Sequence, residues 1–500
     1  MVERLLRGSL PFLFLVPLLA CSASGCAARS GGAVAEAVDE PEDGILEFVV
    51  EEMGPGERPE EEDGERGWDA AGVPLPEGRI SVQLRWVLDR LETGGGLPDR
   101  DEARERFTEA FLAQVPAAQL SAVMIQLSAL LGAFVLEELE DAPQEGMLVG
   151  VLRAEDGRVY RVVVGLAEGD ADGRMETLLV QLAPDRMTED VGSWDGVRSR
   201  LAEAGERVSL LAAEVGDAGC EPLESMAPAE PLAIGSTFKI WVLGAVVDAV
   251  LGGDTTWLDA VEIRDEWRSI PSGVMQNEPA GATFSVREMA TEMIRISDNT
   301  ATDHLIGVLG RERVEEAMET WGEQLAERNR PLLTTREMTG LKLPRMAEEL
   351  TRWRAGDADG RRALLDEGPV DFDVLEALRE AGPWTTPRAI DVLEWYASAE
   401  ELCGTLHWLR ELSLSRPGAQ PAMEILGLNP GLEFDRARWP YVGYKGGSEP
   451  GVLNMTWLLL RDDGRWFALV LTANDEARPV QEGALMSAAA TALRLLGEQP

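Results

Sequence analysis

The sequence predicts an α+β protein built as two folded units, a small one followed by a large one. Three observations predict it. Helix-period apolar residues over about 80–131 give way to four strand-like stretches, which together make one complete α+β unit. A strand-like stretch at 208–215 leads to a long apolar helix that opens at Gly235-Ser236-Thr237-Phe238-Lys239. A hairpin turning at Asp462-Asp463-Gly464 and a closing helix over 480–496 complete a second unit.

The chain of 500 residues is long enough for two or three sizeable cores. Its net charge of −43 argues against nucleic acid and against an anionic membrane surface as partners. Of its 46 basic residues, three are lysines: Lys239, Lys342 and Lys445. Arginine cannot be deprotonated, so a chain that uses arginine wherever it needs charge keeps lysine where lysine chemistry is needed.

Residues 1–21 read as a secretory signal of lipoprotein type. Arg4 and Arg7 precede an apolar stretch over 10–20, too short to span a bilayer. Leu18-Leu19-Ala20-Cys21 resembles a bacterial lipoprotein box, which implies lipidation at Cys21, a membrane anchor and a periplasmic or cell-envelope location. Residues 22–77 mix Ala, Gly and Pro with acidic runs such as Glu60-Glu61-Glu62-Asp63, the composition of a disordered tether. Cys220 and Cys403 remain available to pair outside the cytoplasm.

The small unit, 78–188, opens with a helix carrying Ile80, Leu84, Val87, Leu88 and Leu91. Helices over 100–115 and 117–131 follow, then strands over 133–139, 147–153, 159–166 and 175–182. Turns such as Glu155-Asp156-Gly157 separate them. This order resembles the cone-shaped cystatin-like or steroid-isomerase-like domains. No catalytic cluster stands out in it.

The large unit, 189–500, carries the chemistry. Ser236 and Lys239 are three residues apart and share a helical face. An amine in that apolar setting loses its proton easily and can take the serine proton. Ser285 with Glu288 starts a helix that stops at Ser297-Asp298-Asn299, a short connection between two helices. Tyr444-Lys445-Gly446-Gly447-Ser448 opens a strand, and its glycines allow close approach of a ligand.

S-x-x-K, S-D-N and K-x-G in this order are the signature set that resembles class A β-lactamases and penicillin-binding proteins. The resemblance covers about 190–500. It implies an antiparallel sheet flanked by helices plus an all-helical lobe, as in β-lactamase and transpeptidase domains. It implies a serine hydrolase in which Ser236 is acylated, Lys239 activates it, and Ser297 relays a proton to the leaving nitrogen. It also implies that Asn299 binds the substrate amide, Lys445 holds its carboxylate, and the N–H groups of Ser236 and Ser448 form an oxyanion hole beside Gly446 and Gly447. No metal or cofactor is called for. The implied partner is a β-lactam or a peptidoglycan-like small molecule.

Two departures qualify the expectation. The third motif is Lys-Gly-Gly, where Lys-Thr-Gly is commoner. No E-x-x-L-N motif lies between Asn299 and Thr385, so the glutamate that activates the deacylating water lacks a counterpart. Glu337 and Glu367 have the wrong neighbours and read as structural or surface residues. Thr385-Thr386-Pro387, followed by a predicted amphipathic helix over 389–396, resembles the family's segment after its omega loop. The two-domain plan resembles the serine hydrolases typified by one from a clavulanic acid biosynthetic cluster, where lactamase activity is weak or absent and esterase activity can appear. The alternatives are therefore a D-alanyl-D-alanine peptidase or esterase, or a penicillin- or peptidoglycan-binding protein that acylates without turnover.

Overall fold

The computed structural model describes residues 67–93, 100–115, 117–142, 144, 146–155, 157–167, 169–183, 186–321, 328–368 and 384–499. The expected signal, the lipidation site Cys21 and the tether up to residue 66 lie outside the described residues.

The N-terminal unit packs helices α1 (Arg79–Glu92), α2 (Arg100–Arg106), α3 (Glu109–Gln114) and α4 (Ala117–Leu131) on one sheet. The sheet is an antiparallel meander of β1 (Phe134–Glu140), β2 (Met147–Ala154), β3 (Val159–Leu166) and β4 (Met175–Leu182). The single helix expected over 100–115 is split. Thr108 breaks it, because its hydroxyl accepts the Phe111 N–H at 3.2 Å and caps α3 while its own N–H reaches the Met175 carbonyl at 3.0 Å.

The C-terminal unit is built on a five-stranded antiparallel sheet. Its members are β5 (Arg207–Gly216), β6 (Gly219–Met226), β11 (Tyr441–Glu449), β12 (Val452–Leu460) and β13 (Trp466–Asn474), in spatial order β11-β12-β13-β5-β6. Both faces are covered, so the central strands are mostly apolar. On β13, Phe467, Leu469 and Leu471 enter one core, and Ala468 and Val470 enter the other. The first core lies under α5 (Trp194–Ala202) and α15 (Glu482–Glu498) and runs on into the N-terminal unit.

The second core surrounds α6 (Lys239–Gly252), whose residues 239–247 are all buried. The length and hydropathy of Gly235–Gly252 would suit a bilayer span, but its burial makes it the central helix of this lobe. Around it stand α7 (Val286–Arg295), α8 (Asn299–Leu309), α9 (Arg311–Thr320), α10 (Thr335–Leu341), α11 (Ala347–Ala355), α12 (Ala358–Asp366), α13 (Ala399–Ser415) and α14 (Gln420–Leu426). Short strand pairs complete it: β8 (Ala260–Glu262) with β9 (Thr283–Ser285), and β7 (Leu232–Ala233) with β10 (Tyr396–Ala397).

The helix predicted over 389–396 is absent. Tyr396 and Ala397 instead pair with Ala233 and Leu232, and the helix begins later, at a capping box of Ser398 with Glu401. The tertiary demand for a partner strand beside β7 overrides the local apolar period. Cys220 on β6 and Cys403 on α13 form a disulfide across 183 residues of chain.

Candidate active site

Ser236 does not stand on the α-helix itself. It occupies a 3₁₀ turn, Gly235–Phe238, and the α-helix begins at Lys239. The turn is fixed from several sides. Thr237 Oγ1 donates to Asn454 Oδ1 on β12 at 2.7 Å. The Asn474 side chain brackets Ala233, accepting its N–H at 2.8 Å and donating to its carbonyl at 2.9 Å. The Ile234 N–H donates to the Trp395 carbonyl at 2.9 Å, and the Phe238 ring stacks on Trp395 with centroids 3.8 Å apart.

Strand β11 runs directly over this turn. A Cβ on Gly447 would lie 2.0 Å from the Ile234 oxygen, 2.5 Å from the Ser236 nitrogen and 2.7 Å from the Thr237 nitrogen. The sequence reading reserved this glycine for a ligand's approach; the structure uses it for the approach of the chain's own nucleophile turn. Gly235 has φ +51°, and a Cβ there would lie 3.1 Å from the Ser448 nitrogen. The two backbone amides named for the oxyanion hole, Ser236 and Ser448, therefore sit on immediately adjoining chain.

The polar centre is a buried cluster. Lys239 Nζ lies 2.6 Å from the Ser297 carbonyl, 3.0 Å from Ser297 Oγ and 2.6 Å from Asn299 Oδ1. Lys445 Nζ donates to Ser297 Oγ at 3.1 Å and to the Gly446 carbonyl at 2.6 Å. The Ser297 hydroxyl thus bridges two lysines, both essentially inaccessible to solvent. Burial lowers the Lys239 ammonium to about 7, against a smaller upward pull from Asp298 and Asp303. Lys445 is held well below its usual range by burial first, and then by Lys239.

A neutral Lys239 has two N–H bonds and one lone pair. Its contacts with the Ser297 carbonyl and Asn299 Oδ1 use the two hydrogens, because those oxygens only accept. The lone pair is left for a hydroxyl, either Ser297 or Ser236.

The Ser297 loop is shaped by residues that motif reading did not single out. Ser297 has φ +59°, an unusual backbone for a serine. Ser272 Oγ donates to its carbonyl at 2.6 Å. Asp298 Oδ2 accepts the Val274 and Met275 N–H groups at 2.6 and 2.9 Å, while its Oδ1 accepts the Ala301 N–H at 2.8 Å and caps α8. The turn signal Pro271-Ser272-Gly273 marks this loop in the sequence, without saying what it braces. Asn299 is the first residue of α8, rather than part of a free connection, and is 4% exposed. Its amide is engaged at both ends, by Lys239 and by the Ile270 carbonyl at 2.7 Å.

One turn further along α8, Asp303 accepts from the Thr335 N–H and the Arg336 N–H, each at 2.8 Å, and burial pushes its carboxyl up to about 7. Glu337 closes a capping box with Thr334 and pairs with Arg311 at 2.6 Å. Glu367 pairs with Arg352 at 2.6 Å on the surface. Both are occupied structurally, as the sequence reading had it. No cluster of metal-ligating side chains occurs among the described residues.

Residues 197–366 match the family model described as the β-lactamase enzyme family. This stretch of the C-terminal unit is similar to that family. Residues 75–170 match a second model, the N-terminal region of the ORF 12 gene product. No curated protein matches the chain. Among solved structures, a β-lactamase from Sphaerobacter thermophilus is 19% identical, covering 62% of this chain and 99% of its own, with a TM-score of 0.43. A β-lactamase from Chitinophaga pinensis is 15% identical, covering 61% and 97%, with a TM-score of 0.41. A structure of PBP-A is 13% identical, covering 59% and 94%, with a TM-score of 0.37. In the C-terminal unit, Lys239, Ser297, Asn299 and Lys445 form one buried polar cluster, and Gly447 lies against the turn that carries Ser236. They come from the 3₁₀ turn, α6, the α7–α8 connection, α8 and β11.

Proposed function

We propose that the protein is an exported serine hydrolase, tethered to the cell envelope through lipidated Cys21. It forms an acyl-enzyme at Ser236 with a β-lactam or a related amide or ester. The observation that carries the reading is the Ser297 hydroxyl held between Lys239 Nζ at 3.0 Å and Lys445 Nζ at 3.1 Å, with Lys239 three residues after Ser236 in the chain.

Neutral Lys239 takes the Ser236 proton as Oγ attacks the substrate carbonyl. The amides of Ser236 and Ser448 stabilise the oxyanion, a contribution of about 3–4 kcal/mol per donor in comparable sites. Ser297 passes a proton from Lys239 to the leaving nitrogen. Arrival of the substrate carboxylate favours the ammonium form of Lys445, which holds it, and also favours the charge that Lys239 gains with the Ser236 proton. Asn299 orients Lys239.

Slow deacylation is the second part of the proposal, because Glu337 and Glu367 are committed elsewhere. That favours a peptidase-like, esterase or penicillin-binding behaviour over a fast β-lactamase.

The test uses the mature chain with its lipid cysteine removed. A chromogenic cephalosporin is added, and both hydrolysis and intact mass are followed, with Ser236→Ala in parallel. The expected result is a mass adduct on the wild type that outlives the colour burst, and no adduct on Ser236→Ala. Neither adduct nor turnover, with β-lactams and with simple esters, would reject the acyl-enzyme reading.

A further inference from the structure

The third lysine has no part in the chemistry just described, yet it is as deeply buried as the other two. Lys342 follows the last residue of α10 as its C-cap and is 4% exposed. Its ammonium pairs with Glu394 at 3.0 Å and with Glu449 at 2.5 Å, and it lies over the Trp384 ring, 5.5 Å from its centroid. The two carboxyl groups share this one ammonium, and Glu449 is held well above the usual carboxylate range by burial, with Glu394 adding to it and Lys342 opposing. One ammonium and two carboxyl groups sharing a proton form a neutral buried set.

The positions of the two glutamates give the set its meaning. Glu449 directly follows Ser448, whose N–H is one oxyanion donor. Glu394 directly precedes Trp395, whose carbonyl holds the Ile234 N–H at 2.9 Å, two residues before Ser236, the other donor. Alternation along β11 also puts Glu449 on the same face as Lys445 and Gly447, the face that meets the nucleophile turn.

We infer that Lys342 is a positioning residue: by binding Glu394 and Glu449 together it clamps the two chain segments that carry the oxyanion donors at a fixed separation. This rests on the acyl-enzyme reading of Ser236. Lysine suits the place because a single nitrogen meets both carboxylates, whereas the guanidinium of arginine presents a wide planar fork. Loss of the clamp lets Ser448 drift from Ser236, and a displacement near 1 Å costs on the order of 100-fold in rate.

The experiment compares Glu449→Ala with Glu449→Gln. The alanine variant leaves Lys342 and Glu394 as a balanced pair, so no net charge is stranded in the core. The glutamine variant keeps an oxygen for Lys342. The acylation rate constant and the non-covalent dissociation constant are measured separately, by rapid-quench mass spectrometry over a range of β-lactam concentrations. Glu449→Ala should acylate about 100-fold more slowly with its dissociation constant within about threefold. Glu449→Gln should recover to within about fivefold of wild type. Hydrogen exchange of the 441–449 amides should accelerate in the alanine variant and return to wild-type protection in the glutamine variant.

Wild-type acylation and exchange in Glu449→Ala would overturn the clamp. So would equal slowing in both variants, because that would mean the carboxyl group at 449 is itself required and its bridge to Lys342 is not what acylation depends on. A wild type that fails to acylate would reject the acyl-enzyme reading alone, and the exchange comparison would still decide the clamp.

Discussion

Moving from pH 6 to pH 8 should switch on acylation of Ser236, because only the neutral amine of Lys239 can receive the serine proton. With the ammonium lowered from 10.5 to about 7, the neutral fraction rises from about a tenth at pH 6 to about nine-tenths at pH 8. The acylation rate should climb close to tenfold and then level off. The same depression means that carrying the buried ammonium costs the fold on the order of 5 kcal/mol more than carrying the amine. Asp303, pushed up to about 7, titrates in the same range, and its ionised form raises Lys239. The midpoint therefore belongs to the pair, and Asp303→Asn should move it to lower pH. Lys239→Arg places a permanent cation there and should remove about 10²–10⁴ of the rate at every pH. The assay is single-turnover adduct formation, by intact mass, from pH 5.5 to 9. A flat profile, or an arginine variant acylating at the wild-type rate, would refute Lys239 as the base.

The linked stability change has a definite sign. Between about 7 and 10.5 the unfolded chain binds the Lys239 proton that the folded chain has released, so this group adds stability as pH rises through that window. Asp303 acts oppositely: its folded pKa is raised, so its contribution is present below 3.8 and is lost as pH rises to about 7. Urea midpoints of Lys239→Met and Asp303→Asn against wild type, at pH 5, 7 and 9, separate the two.

Other changes test the framework. Gly447→Ala puts a Cβ 2.0 Å from the Ile234 oxygen and should cut acylation by at least about 100-fold through displacement of the nucleophile turn, read by the adduct assay. Cys403→Ser opens a disulfide spanning 183 residues and should lower stability by about 2–5 kcal/mol, read by denaturation with and without reductant. Glu337→Ala removes the Arg311 pair and half a capping box, so it should cost about 1–3 kcal/mol of stability while leaving the acylation rate within about twofold. A large rate loss in a folded Glu337→Ala protein would return this glutamate to the list of catalytic groups.

Much was legible in the linear order. The four strands of the first unit, the hairpin of β12 and β13 and the three motif clusters are local patterns, set by side-chain period, turn residues and residue chemistry. The scarcity of lysine pointed to three positions before any fold was known, and all three ammonium groups are buried. The break at Thr108 and the strand pairing of Tyr396 were not legible. Each is decided by a partner far along the chain, Met175 in one case and Ala233 in the other.

The sequence by itself determined which functional groups exist: a serine before a lysine, an Ser-Asp-Asn connection, and a lysine followed by two glycines. Only the tertiary structure decided how they act on one another. It set Ser297 between two lysines, laid Gly447 against the nucleophile turn, and joined Lys342 to two glutamates from distant segments. The reason is physical: a proton affinity depends on desolvation and on neighbouring charge, and both are properties of the packed interior that no local stretch of chain contains.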